Sequence, residues 1–390
     1  MTSGASDPSR TAAETPLELA VSKPSREAEK PPEPGIALCL SGGGYRAMLF
    51  HAGALWRLHE TDVLAEVQRV SSVSGGSIAA GVLALAWPDL ESGADFEATV
   101  VAPLRRLASV TIDRGSVVGG LLRPRQSIGD RITAAYRAPY LFGERTLGDL
   151  PASPRFVFNA TNMQSTALWR FSRPYTRDYR VGKLLEQPFP LATVVAASSA
   201  FPPFLSPVVL SVDENAYEAD PDADLDHAPF TTRPVLTDGG VYDNLGLETA
   251  LKRYTTILVS DGGGKTEAAE KVQRNWLGHT IRAMMVIDNQ VRSLRKRALI
   301  SAYKLGERDG AYWGVRTKIE NYGLEQTLPC PPGLTEQLAK EPTRLASIAA
   351  TTQERLINWG YAVCDAATRA HLDKTLPQPT GFPYPLAGVG

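Results

Sequence analysis

Four short apolar runs along the chain each end in glycines. Residues 35–41 run into Gly42-Gly43-Gly44, residues 67–73 into Ser74-Gly75-Gly76, residues 234–237 into Asp238-Gly239-Gly240, and residues 255–260 into Asp261-Gly262-Gly263-Gly264. Runs of this length and composition read as buried strands, and the glycines as the turns that follow them. Between the first two, residues 45–60 have helical spacing, with Met48, Leu49, Ala52, Leu55 and Trp56 on one side. Residues 78–87 form a second, more apolar helical run. Strand–loop–helix–strand–turn–helix predicts a parallel sheet with helical crossovers. The expected fold class is therefore α/β: a central, mostly parallel sheet with helices on both faces, plus an α-rich C-terminal region.

Elsewhere the pattern is coarser. Residues 1–34, punctuated by Pro24, Pro31, Pro32 and Pro34, read as a disordered tail. A core is expected over 35–265. It contains a poorly patterned insertion at 90–185, with one clear strand at 155–160, and an acidic loop within 211–232. A small-residue helix at 191–200 stops at Phe201-Pro202-Pro203. Residues 266–390 read as an α-rich region packed on the core, opening with a long helix at 271–305.

Charge narrows the partners. Lys and Arg number 41 against 42 Asp and Glu, a balance that argues against nucleic acid, whose binding rests on phosphate neutralisation. The hydrophobic fraction of 43% suffices for a sizeable core. Cys39, Cys330 and Cys364 show neither disulfide nor zinc spacing, so no metal is expected. Cys39 reads as a small buried hydrophobe. The N-terminus has no apolar signal core, and no run approaches the ~18 apolar residues of a membrane span. The expectation is a cytoplasmic protein, or one peripheral to a membrane.

Parallel sheets bind their ligands beyond the carboxyl ends of the strands, which is where these glycines fall. Ser72-Val73-Ser74-Gly75-Gly76 is similar to a nucleophile elbow with serine in the first glycine position. Such an elbow needs small neighbours, because the nucleophile sits on a tight strand-to-helix turn. The helix that follows favours negative charge near Ser74; an ordinary helix N-cap is the bland alternative. Ser71 and Ser77 lack this context. Gly42, Gly43 and Gly44 lie one crossover earlier, and glycine lets backbone N–H groups approach an anion closely. Opposite a serine nucleophile that anion is the tetrahedral oxyanion. Arg46 either adds positive charge there or braces the turn.

The serine needs a base. In a Ser-Asp-His order His279 or His371 would serve, yet neither sits at a strand end or in a glycine loop. A strand-end aspartate is the simpler fit. Asp238 and Asp261 both qualify, and periodicity does not choose between them.

The set 41–46 (Ser-Gly-Gly-Gly-Tyr-Arg), 72–76 (Ser-Val-Ser-Gly-Gly) and Asp238-Gly239-Gly240 resembles, in that order, the patatin-like phospholipases. Residues 197–204 and 241–246 look like the segments flanking that family's aspartate. The resemblance covers roughly 35–265. It implies Ser74 as nucleophile, Asp238 as proton acceptor of a two-residue dyad, and the amides of Gly42, Gly43 and Gly44 as oxyanion hole. Arg46, Gly75, Gly76, Gly239 and Gly240 are supporting residues. Ser41 and Ser72 depart from the family's usual glycines. The implied activity is hydrolysis of a lipid or lysolipid ester, with no cofactor and with peripheral membrane contact. The alternative is a binding module of the same fold that holds an anionic head group.

Three other patterns fail. Val259 stands where a P-loop before Lys265-Thr266 needs glycine, and Ala47 breaks a dinucleotide fingerprint, so no nucleotide is expected. Leu225 and Thr231 stand where a calcium loop over Asp220, Asp222 and Asp224 needs glycine and an acid. Arg292, Arg295, Lys296 and Arg297, beside Met284, Met285, Val286, Val291 and Leu294, allow a membrane-facing helix, but a helix half in the core and half solvated is the preferred reading.

Overall fold

The computed structural model describes residues 31–112, 128–203 and 205–390; most of the expected 1–34 tail and part of the 90–185 insertion lie outside the described residues. In chain order the main elements are β1 (Glu33–Leu40), α1 (Gly44–Glu60), β2 (Val67–Val73), α2 (Gly75–Glu91), α3 (Ala102–Ala108) and α4 (Ile128–Tyr136). Next come β3 (Arg155–Asn162), β4 (Leu168–Phe171), β5 (Tyr175–Asp178), β6 (Gly182–Leu185), α5 (Leu191–Ser198), β7 (Val208–Val209), β8 (Tyr217–Glu218) and β9 (Val235–Asp238). The chain closes with α6 (Gly240–Asp243), α7 (Glu248–Leu251), β10 (Tyr254–Asp261), α8 (Trp276–Lys304), β11 (Asp309–Gly314), α9 (Pro332–Leu338) and α10 (Ala350–His371).

One mixed sheet runs β11-β10-β1-β2-β3-β4-β5-β6-β8. Its first five strands are parallel and form the core; from β3 onward the pairings are antiparallel. The period-2 geometry of a strand divides the core strands between two layers. Leu38, Leu40 and Leu258 point into the larger apolar cluster with α1, α2 and α10. Ala37, Cys39, Ile257 and Val259 pack on the other face against α7 and Leu299 of α8. Helices thus cover both faces of the parallel part, as expected from the alternating strand and helix pattern.

Helix α1 is buried along almost its whole length because α10 lies across its outer side. The two backbones meet at a pair of glycines. A Cβ on Gly53 would lie 1.8 Å from Ile357 O, and one on Gly360 1.9 Å from Phe50 O. Two elements differ from the sequence expectation. The 90–185 segment holds the β4–β6 meander, and the region read as α-rich contributes β11, which extends the parallel sheet beside β10. Helix α8 differs in its burial: only Leu299 and Ala302 of its 29 residues are buried.

Candidate active site

Strand β2 is buried almost throughout and ends on Ser74, whose backbone takes φ 53°, ψ −122°. A non-glycine residue in this region is strained, as at a nucleophile elbow. The turn is held by close packing and buried hydroxyls. A Cβ on Gly75 would lie 2.2 Å from Gly44 O, and one on Gly76 2.3 Å from Leu40 O, so neither position accepts a side chain. The Ser74 N–H donates to Ser198 Oγ (3.2 Å), which lies 2.8 Å from Ser77 Oγ and itself donates to Asn159 O. Asn159 Nδ2 in turn donates to Ser72 O and Ser71 Oγ. Ser71 and Ser77 are consumed in this network. The sequence does not single out Ser198 or Asn159 as site residues, although Ser198 lies within the 197–204 segment that carries part of the resemblance.

The same packing gives a prediction. Gly75→Ala should destabilise the fold by about 1–3 kcal/mol, the usual range for overpacking, because its Cβ meets backbone and no flexible side chain can yield. Gly333→Ala, which meets nothing within 4 Å, should unfold thermally like the wild type; equal melting temperatures for the two variants would refute the close contact.

The glycine loop sits directly against this turn. Gly43 and Gly44 have φ of 147° and 62°, conformations that favour glycine. The Gly42 N–H donates to Asn244 O at 3.0 Å. It is therefore not free for an oxyanion, contrary to the expectation for that residue. The Gly43 and Gly44 N–H groups make no hydrogen bond among the described residues. Arg46 is buried and braces the loop: Nε donates to Gly262 O (3.1 Å), Nη2 to Thr343 Oγ1 (2.9 Å), and Nη1 to Glu341 O. Burial and the nearby Arg292 and Arg316 lower its pKa to about 10. Its role is thus the bracing one of the two considered.

Strand β9 reaches the site from an unexpected direction. It pairs antiparallel with the end of β3, Ala160 opposite Asp238, whereas β2 pairs parallel with the earlier part of β3, Val73 opposite Asn159. Extending β3 past the rim allows β9 to run back towards it and deliver Asp238 beside Ser74. Asp238 is 2% exposed; Oδ1 accepts the Gly240 N–H at 2.7 Å, and its carbonyl accepts Thr161 Oγ1 at 2.9 Å. The Ser74 hydroxyl lies close enough to bond the carboxyl and lower its pKa. Oδ2 is buried and has no hydrogen-bond partner among the described residues. Burial dominates and pushes the carboxyl up to about 7, against the Gly240 and Ser74 bonds, with Asp288 of α8 adding to the rise. Gly239 packs on Asn159 O, which a Cβ would approach to 2.2 Å.

Asp261 has the opposite character. Its oxygens accept from Gly263 N (2.9 Å), Tyr312 Oη (2.7 Å) and Arg292 Nη2 (3.3 Å). Burial alone would raise its carboxyl, but Arg292, Tyr312 and Gly263 hold it below the ordinary carboxylate range. It is a clamp between β10, β11 and α8. The histidines are elsewhere. His51 is buried, with Nδ1 2.7 Å from Ser260 Oγ and Nε2 2.9 Å from Ser41 O, and burial lowers its pKa to about 4. His279 is exposed on α8, and His371 packs edge-on against Tyr322. In the acidic loop, Asp220 and Asp224 pair with Arg177 and Arg180 at 2.8 and 2.7 Å.

A serine on a strained strand-to-helix elbow, a buried strand-end carboxyl beside it and a glycine loop overhead define a class of α/β proteins. A family model described as patatin-like phospholipase matches residues 38–251, more than half of the sequence, and the chain belongs to that family. No curated protein matches the chain in sequence. Among solved structures, human GIVD cytosolic phospholipase A2 is 15% identical over 59% of this chain and 43% of its own, with a TM-score of 0.41. The same human protein in complex with methyl gamma-linolenyl fluorophosphonate is 13% identical over 90% of this chain and 59% of its own (TM-score 0.46). VipD from Legionella pneumophila is 14% identical over 86% of this chain and 66% of its own (TM-score 0.35). The chain spans about half the length of the human protein chains it matches.

Proposed function

We propose that the protein hydrolyses carboxylic esters of phospholipids or lysophospholipids through an acyl-Ser74 intermediate, with Asp238 as base. The observation that carries this reading is the pairing of a strained Ser74 with a buried carboxyl whose pKa is raised to about 7. A base near the working pH suits proton transfer.

In the first half-reaction Asp238 takes the proton from Ser74 Oγ as Oγ adds to the ester carbonyl. The resulting oxyanion is received by the Gly43 and Gly44 N–H groups, which have no other acceptor among the described residues. Collapse breaks the ester bond, and Asp238 returns its proton to the departing alcohol. In the second half, Asp238 deprotonates water, which attacks the acyl-serine, and the fatty acid leaves with Ser74 reprotonated. Phe201 and Val241, both exposed and next to the segment that carries Asp238, supply apolar surface for an acyl chain. No described helix is long and apolar enough to cross a membrane; the reading places the protein in the cytoplasm or on a membrane surface.

A fluorophosphonate probe tests the reading directly, since only an activated serine reacts with it. The expected result is one labelled peptide containing Ser74, with release of fatty acid from dispersed phospholipid. A chain carrying both His279→Ala and His371→Ala should keep its full rate. Loss of activity in that variant would assign the base to a histidine, and absence of labelling would leave a non-catalytic binding site.

A further inference from the structure

Helix α8 has two unlike faces. Its inner face belongs to the wall of the site: Arg292 bonds Asp261 and Gly264 O, Arg295 bonds Glu248 and Tyr242 O (both 3.2 Å), and Asp288 is near enough to raise the Asp238 carboxyl. Its outer face is apolar and uncovered among the described residues. Trp276 is 80% exposed, Ile287 63% and Leu294 51%, and at steps of eleven and seven residues they lie along one side of the helix. Leu277, Met284 and Val286 widen the stripe. Exposed apolar surface of this extent marks a docking site.

Charge decides for what. Between residues 263 and 297 there are eight Lys and Arg but three Asp and Glu, in a chain whose net charge is −1. Lys265, Lys271, Arg274 and Arg297 are exposed and make no ion pair among the described residues. An apolar stripe on a segment with an excess of exposed cations suits the boundary between acyl chains and anionic head groups. A second copy of the chain suits it less. Pairing α8 with itself, parallel or antiparallel, sets these cations against one another.

We propose that the outer face of α8, centred on Trp276, Ile287 and Leu294, docks the protein on an anionic lipid surface and so presents the bilayer to the site that α8 helps to wall. The proposal rests on the lipid-hydrolase reading for its purpose, but its test does not. The Ser74→Ala chain, which cannot turn over lipid, is sedimented with phosphatidylcholine vesicles that contain or lack phosphatidylglycerol. It should bind the anionic vesicles, lose binding with added salt, and bind at least about tenfold more weakly when Trp276→Ser, Ile287→Ser and Leu294→Ser are combined.

With Ser74 intact, the triple variant should hydrolyse a soluble p-nitrophenyl ester at the unaltered rate and anionic vesicles about tenfold more slowly. Vesicle binding untouched by the triple change overturns the proposal, as does failure of the full chain to bind either vesicle. A dimer dispersed by the same change, without vesicle binding, overturns it in favour of a second copy.

Discussion

Asp238→Asn will lower ester hydrolysis by about 10²–10⁴-fold, the usual contribution of a positioned general base, and will make the fold more stable at alkaline pH. Both effects come from one buried carboxyl. Burial raises its pKa from 3.8 to about 7. The native state therefore binds this proton more tightly than the unfolded chain does. The stabilisation that follows is complete below pH 3.8, declines as pH rises, and is gone once pH passes about 7. Asparagine has the same outline and keeps an acceptor for the Gly240 N–H, yet never charges. Its advantage should grow between pH 4 and 7 and level off above, at no more than about 4 kcal/mol for a shift of this size. Thermal unfolding at a series of pH values measures it. Wild-type kcat/KM should rise over the same window with its midpoint near 7, because in the proposed reaction only the carboxylate accepts the Ser74 proton. If the asparagine variant is no more stable than wild type at pH 8, the raised pKa is wrong and Asp238 is an ordinary ionised carboxylate.

The same residue shows what a sequence carries and what it does not. Asp238-Gly239-Gly240 was recognisable as a strand end, because a short apolar run before glycines is a local signal. Its direction was not. Strand β9 is antiparallel to β3, and nothing within four residues encodes whether a strand arrives at the rim from below or from beyond it. The end of β9 comes to the end of β2 only because β9 pairs with the part of β3 that extends past the rim. Strands β4 to β6 were missed for a similar reason: each is four residues long, too short for alternation to stand out. Strand β11 was missed because Asp309, Gly310 and Gly314 disguise a segment that buries Ala311 and Trp313. In the site, the glycines identified Gly42 as readily as Gly43 and Gly44. Only the fold reveals that Asn244 O already occupies the Gly42 amide. The unusual exposure of α8 was likewise hidden, for amphipathic spacing fixes which side is apolar but not whether anything packs on it.

Ser74 itself supplies the sharpest expectation, because two substitutions at one position separate chemistry from strain. Ser74→Ala removes the proposed nucleophile and should abolish turnover by about 10⁴–10⁶-fold. It keeps the left-handed backbone at φ 53°, and with it the strain of about 1–3 kcal/mol expected for a non-glycine residue there. Ser74→Gly is equally inactive but free of that strain. Glycine gives back about 0.5–1 kcal/mol through its greater freedom when unfolded. The glycine variant should therefore be more stable than the alanine variant by about 1 kcal/mol, read from denaturant unfolding. Alanine also withdraws the hydroxyl that helps to hold the Asp238 carboxyl down, so in Ser74→Ala that carboxyl should titrate above about 7. Infrared bands of the protonated and ionised acid follow it without any need for activity. An alanine variant that still turns over lipid, or a glycine variant less stable than the alanine one, would mean that residue 74 is an ordinary turn and that the strain at this elbow has no part in catalysis.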